Sequence, residues 1–238
     1  MLAFKTLALA LSLLPGIFAA SAPRIDKDKA ALLVVDHQVG LFELVQDINP
    51  VEFRNNIVAH AELGFLFNLP TILTTSAETG PNGPLPKEIT RLHPNATFVR
   101  RNGEVNAWSN EEFRAAVKAT NKSQIILAGI TTDVCTAFLA LSLIDEGYEV
   151  FANADASGTF NKAIADGAND RMRGAGVQVL SFWAIVCELM RDWRNTPGAA
   201  EVLPFLDKYL PAYGYLARGH AAATTNGTIL PGQGSLNG

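Results

Sequence analysis

Cysteine and histidine are scarce in this 238-residue chain, with two of the first and four of the second. That is too few for a zinc framework or a disulfide-stapled mini-domain. Basic charge is also short. Lys and Arg number 19 against 23 Asp and Glu, and a net charge of −4 gives no footprint for nucleic acid and no polybasic membrane patch. Beyond residue 22 no stretch is long and apolar enough to span a bilayer as a helix. Glycine (19) and proline (12) are too few for collagen or a low-complexity linker, and 48% apolar residues exclude a disordered chain. What remains is a globular chain with the length of one domain.

Residues 1–22 read as a secretory signal. Lys5 supplies the positive start, residues 7–20 form an apolar run interrupted by Pro15-Gly16, and Ala20-Ser21-Ala22 fits the small-x-small cleavage pattern. The expectation is a secreted protein whose mature chain begins near Pro23. The triplets Asn95-Ala96-Thr97, Asn121-Lys122-Ser123 and Asn226-Gly227-Thr228 fit the glycosylation acceptor pattern. After about Gly214 the sequence turns small and polar, so residues 215–238 read as a flexible tail and residues 23–214 as the domain.

Within the domain, apolar runs alternate with helical spacing. Residues 30–36 (AALLVVD), 70–77 (PTILTTSA), 96–101 (ATFVRR), 124–130 (QIILAGI), 149–154 and 177–184 read as strands; AALLVVD has the continuous apolar character of a buried parallel strand. Helices are expected over residues 55–68, from Ser109 as cap into Glu111-Glu112, and over residues 134–146, 161–174 and 186–194. Strict alternation predicts an α/β fold: a three-layer, mostly parallel, Rossmann-like sheet with helices on both faces. Ligands of such sheets bind beyond the C-terminal strand ends, which draws attention to Asp36, Ser76, Glu78, Arg101, the segment 131–135, Asp155 and Ala184.

Three of these ends carry chemistry. Cys135 falls in the first turn of a predicted helix, where unpaired N–H groups and the helix dipole favour a thiolate. Asp36 could take the thiol proton, and Arg101 could supply a fixed positive charge. Nucleophile, base and cation make a covalent-catalysis set. The plainer readings are a core cysteine or a Cys135–Cys187 disulfide, the latter disfavoured because a bridge needs Cα atoms within ~7 Å and these strands are not expected to be neighbours. His37 and Gln38 would shape the pocket or support it. Phe42, Asn106 and Trp108 are pocket candidates whose alternative is packing. His93 stands alone and suggests no metal site.

Leu33-Val34-Val35-Asp36-His37-Gln38, Arg101 and Gly129-Ile130-Thr131-Thr132-Asp133-Val134-Cys135 together resemble the isochorismatase-like cysteine hydrolases, closest to their YcaC branch. Glu78 to Pro84, Asn106-Ala107-Trp108 and residues 155–161 add to the resemblance, which covers about residues 25–210. It implies Asp36 as general base and Cys135 as nucleophile, with Arg101 (Arg100 being the other match) where the family has lysine. It implies a non-proline cis peptide between Thr131 and Thr132 that aims backbone N–H groups of this turn and of Cys135 at an oxyanion. Glu78 joins His37, Gln38, Phe42, Asn106 and Trp108 as a pocket residue. The expected activity is hydrolysis of an amide-type C–N bond in a small molecule through a thioester, with no cofactor and no metal, in a homo-oligomer. The alternatives are an isochorismate-type vinyl-ether hydrolase, a tailoring hydrolase of secondary metabolism, or a catalytically silent scaffold.

Overall fold

The computed structural model of the protein describes residues 23–227. The expected signal over residues 1–22 lies outside the described residues, as does Thr228 of the third acceptor triplet.

Six strands form one parallel sheet: β1 (Ala30–Val35), β2 (Thr71–Ser76), β3 (Thr97–Arg101), β4 (Gln124–Gly129), β5 (Glu149–Asn153) and β6 (Gln178–Leu180). Their order is β3-β2-β1-β4-β5-β6. The chain builds outward from β1 to β3, then returns to the other side of β1 with β4. The switch point therefore lies between the C-terminal ends of β1 and β4, where Val35 pairs with Gly129.

Side chains alternate across this sheet with period two. Ala31, Leu33 and Val35 face one side and pack with Phe113, Val117, Leu139, Leu143 and Met172. These belong to α3 (Glu111–Ala119), α4 (Ala137–Asp145) and α5 (Lys162–Gly174). Ala30, Leu32 and Val34 face the other side. There α1 (Pro50–Leu66), the short α2 (Lys87–Leu92), α6 (Phe182–Met190) and α7 (Ala199–Tyr209) supply Leu63, Ile89, Ile185 and Phe205. The arrangement is the three-layer α/β fold that the alternation predicts.

Several boundaries differ from expectation, among them α1, which starts at Pro50 and not at residue 55, and three others have a clear local cause. The N-cap of α3 is Asn110, whose side chain accepts from the Phe113 N–H at 2.9 Å, and not Ser109. The last strand stops at Leu180, because the Ser181 hydroxyl accepts from the Ala184 N–H and starts α6. Ala184 is thus a helix residue, and Phe182, Ile185, Val186 and Leu189 give the buried helical stripe. The segment expected as a flexible tail is helical through α8 (Pro211–Thr225). Pro211 suits a helix start, and alanine, which counts as merely small in a composition scan, is the strongest helix former. Tyr213 anchors α8 by stacking on Trp193 at 5.5 Å and packing against Trp183 at 5.1 Å.

Candidate active site

Asp36 follows β1 in a left-handed conformation (φ 54°), its N–H held by the Thr74 carbonyl at 3.0 Å. Arg101 ends β3, two strands away, roughly 10 Å at ordinary strand spacing. Its long side chain runs across the end of β2 to close that gap. Nε donates to Thr74 Oγ1 at 3.0 Å, Nη1 donates to the Glu104 carbonyl, and Nη2 lies 2.5 Å from each Asp36 oxygen. Both charged side chains are fully buried. Thr74 in turn donates to the Val99 carbonyl at 2.8 Å. Alternation along β3 separates the two arginines: Arg100 is exposed, stacks on Phe98 at 3.8 Å and pairs with Glu78 Oε2 at 3.0 Å. Of the two matches for the family lysine, only Arg101 reaches Asp36.

Cys135 lies in a π-helical turn, Thr132–Thr136, that leads into α4. π turns concentrate at functional sites. The Cys135 thiol lies close enough to the Asp36 carboxyl for each to shift the other's titration, so base, cation and thiol meet at the switch point. The thiol is not held ionised as expected. Burial pushes its pKa up, and the neighbouring Asp36 charge pushes it further, against the weaker pull of Arg101 and the Thr131 backbone. Burial also raises Asp36, opposed by the Arg101 guanidinium on both its oxygens. Burial and the neighbouring charge thus both oppose a preformed thiolate. A helix-start position alone suggests the opposite, because it omits burial and the adjacent anion.

The non-proline cis peptide is Ile130–Thr131, one bond earlier than expected between Thr131 and Thr132. Sheet pairing continues to Ile130, which bridges Gly158, and Thr131 is the junction residue. The Thr132 N–H donates to the Gly158 carbonyl at 3.1 Å and is not free for an oxyanion. The Thr131 backbone instead faces the Cys135 sulfur.

Most of the expected pocket residues make contacts that hold neighbouring segments in place. Gln38 is buried and uses its whole amide: Oε1 accepts from the Ser76 N–H at 2.8 Å, and Nε2 donates to the carbonyls of Ser76 (3.1 Å) and Gly83 (2.5 Å). It ties the wall loop, residues 77–86, to the end of β1. Gly40 lies under the same wall, where a Cβ would meet the Pro81 carbonyl at 1.9 Å. Asn106 caps Trp108 and donates to Ser142 Oγ at 2.9 Å, while Trp108 is buried between Phe113 and Tyr148. These two join the β3–α3 loop to the helix layer. Phe42 packs edge-on against Phe53 at 6.1 Å and lines a cavity of roughly 760 Å³ along α1, whose lining includes none of Asp36, Arg101 and Cys135. Glu78 accepts from Thr75 Oγ1 and pairs with Arg100. His37 faces the opposite side: Nε2 donates to the Ala156 carbonyl at 2.8 Å, and burial lowers its pKa to about 4.

Four supporting residues have no assigned role in the sequence reading. Thr74, the Glu104 carbonyl and the pair Thr159 Oγ1–Asp133 Oδ1 (2.7 Å) hold Arg101 and the Cys135 turn in place. The consecutive threonines at the end of a buried strand, Thr74-Thr75, are the one available signal. Both cysteines are free. Among the described residues no group of three or more His, Cys, Asp or Glu is gathered to hold a metal ion.

The chain as a whole has close counterparts among known hydrolases. The isochorismatase domain matches residues 30–182, and the chain belongs to the isochorismatase family of hydrolases. Within it the chain stands on the YcaC branch. It is 55% identical over 172 residues to the probable hydrolase YcaC of Escherichia coli K12, covering 72% of this chain and 83% of that protein. A structure of YcaC from Pseudomonas aeruginosa with hexane-2,5-diol and covalent acrylamide superposes with a TM-score of 0.82 at 49% identity, over 85% of this chain and 100% of that one. The Escherichia coli YcaC structure, an octameric hydrolase of unknown specificity, gives 0.81 at 50% identity, over 84% and 97%. The nicotinamidase of Staphylococcus aureus shares the fold at 17% identity, with a TM-score of 0.55 over 63% of this chain and 96% of that one.

Proposed function

We propose that this protein hydrolyses an amide-type C–N bond of a small molecule with Cys135 as nucleophile. Asp36 removes the thiol proton as sulfur bonds to the carbonyl carbon. The N–H groups of Thr131 and Cys135 receive the oxyanion. On collapse the C–N bond breaks, the leaving nitrogen takes the proton from Asp36, and a thioester remains. Asp36 then deprotonates a water that attacks the thioester, the C–S bond breaks, and the proton returns to sulfur as the acid departs. Arginine does not shuttle protons, so Arg101 holds Asp36 in place and balances its charge. No cofactor enters these steps.

The observation that carries this reading is the Asp36 carboxyl shared between the Arg101 guanidinium and the Cys135 thiol in a buried site. The covalent acrylamide in the Pseudomonas aeruginosa relative supports a reactive nucleophile in that protein, since acrylamide is captured at its alkene and keeps its amide intact. Assembly into a homo-oligomer belongs to the same proposal, supported by the octameric Escherichia coli relative. So does secretion, supported by the pattern of residues 1–22. The test is mass spectrometry of the protein quenched with small amides and carbamoyl compounds. An acyl adduct on the Cys135 peptide is expected, absent in Cys135→Ala, whose fold stability should stay within about 1 kcal/mol of the parent. Turnover that survives Cys135→Ala would refute the nucleophile.

A further inference from the structure

Five loops leave the C-terminal ends of the strands and frame the site: residues 36–49, 77–86, 102–110, 130–136 and 154–161. None of them contains a Lys or Arg, while together they hold seven Asp or Glu, among them Asp47, Glu104 and Asp133. Within these loops and the strand ends the cations belong to β3, and both are occupied; Lys87, exposed at the start of α2, stands just beyond the wall loop. Arg100 is paired with Glu78, and Arg101 has Thr74, Glu104 and Asp36 on its three nitrogens. The acids are engaged as well: Asp133 accepts from Thr159, Asp47 from the Thr159 N–H and Glu104 from Asn110.

Exposed apolar side chains sit one residue beyond these contacts. Val39 (45% exposed) follows Gln38, Val105 (54%) follows the Glu104 carbonyl that holds Arg101, and Phe160 (44%) follows the Thr159 that holds Asp133. Three different loops thus present apolar surface at the end of the sheet where the thiol lies. An entering carboxylate would find no free cation within the five framing loops and a surplus of negative charge there, and it would lose hydration without replacement.

We infer that the site selects uncharged acyl groups of apolar character and rejects substrates that carry a carboxylate. This rests on the hydrolytic reading for amide turnover, but the charge selection itself is a property of access to Cys135. It weighs against a dianionic vinyl ether such as isochorismate as substrate.

Paired reagents separate access from turnover. Cys135 is alkylated with uncharged iodoacetamide and anionic iodoacetate, and the rate ratio is compared with that of the same cysteine in the denatured chain. In parallel, kcat/KM is measured for hexanamide and for adipamate, which differs by a terminal carboxylate. The folded protein should alkylate with iodoacetamide over iodoacetate at a ratio about tenfold or more above that of the denatured chain, and should prefer hexanamide to adipamate by a similar factor. Added salt should raise the anionic rates and leave the neutral ones flat. Val105→Lys, which places a cation at the mouth, should narrow both gaps severalfold. An alkylation ratio equal to that of the denatured chain overturns the inference, whether or not amides turn over. Intact selectivity without turnover of any amide overturns the hydrolytic reading alone.

Discussion

Asp36 and His37 are consecutive and equally buried, yet they enter opposite kinds of polar environment. Asp36 joins Arg101, Thr74 and Cys135 on one side of the strand end, in a cluster built around an ion pair. His37 turns to the other side, where its ring lies 6.2 Å from that of His60. His60 donates from Nε2 to the Leu33 carbonyl at 3.1 Å, and Asn153 Nδ2 donates to its Nδ1 at 3.3 Å. Burial lowers His60 to about 3 and His37 to about 4, so both imidazoles are neutral near pH 7. A buried ion pair is seldom the most stable filling for a core, because desolvation offsets much of the attraction. Neutral histidines that each donate to a carbonyl carry far less of that burden, although the buried Nδ1 of His37 has no hydrogen-bond partner. The contrast favours the first cluster for the proposed chemistry and the second for support.

The largest effect should come from breaking the ion pair. Arg101→Met leaves Asp36 buried without its partner, and the expected loss is about 3–5 kcal/mol of stability at pH 7. The deficit should shrink on acidification, because an Asp36 raised by burial takes up a proton and loses its charge. Urea denaturation at pH 7 and at pH 5 measures both. A loss below about 1 kcal/mol at neutral pH would make the pair equivalent to a surface bridge.

The histidine cluster should respond to pH with the opposite sign. Both folded pKa values lie below the unfolded value of about 6.5, so the unfolded chain binds protons first. Their contribution is complete above about pH 6.5 and falls as pH drops toward 4, by roughly 2 kcal/mol per histidine at pH 5. Stability curves of the parent and of Arg101→Met should both fall over this range through the histidines, and should converge because Asp36 takes up its proton. Parallel curves would dissolve the distinction between the two clusters.

How much of this is visible in the residues alone varies with the physics involved. AALLVVD and QIILAGI announce buried parallel strands, because strands covered on both faces need continuous apolar runs, and the chemistry at their ends follows from the architecture. Arg100 against Arg101 is a question of register, and only the pairing of Ser76 with Arg101 answers it. The cis bond at Ile130–Thr131 depends on where sheet pairing stops, which a bridge to Gly158 decides. Gln38, Asn106 and Trp108 look like pocket residues by position but are held by Ser76, Ser142 and the α3 layer, contacts between distant segments that no local pattern carries. The protonation of Cys135 is the least legible feature, since it reflects burial and the distance to an anion 99 positions earlier in the chain.

That protonation also decides between the two routes to a nucleophile. The rate of Cys135 alkylation by iodoacetamide, followed from pH 6 to pH 10 in the parent and in Asp36→Asn, reads the titration of the thiol directly. The parent should react slowly at neutral pH and accelerate only above the free-thiol value of about 8.5. Asp36→Asn removes the anion and leaves Arg101 facing the sulfur, so its profile should move to lower pH even as turnover is lost. A parent thiol that titrates below pH 7, with its reactivity lost in Asp36→Asn, would contradict proton transfer from sulfur to Asp36 and restore a preformed thiolate.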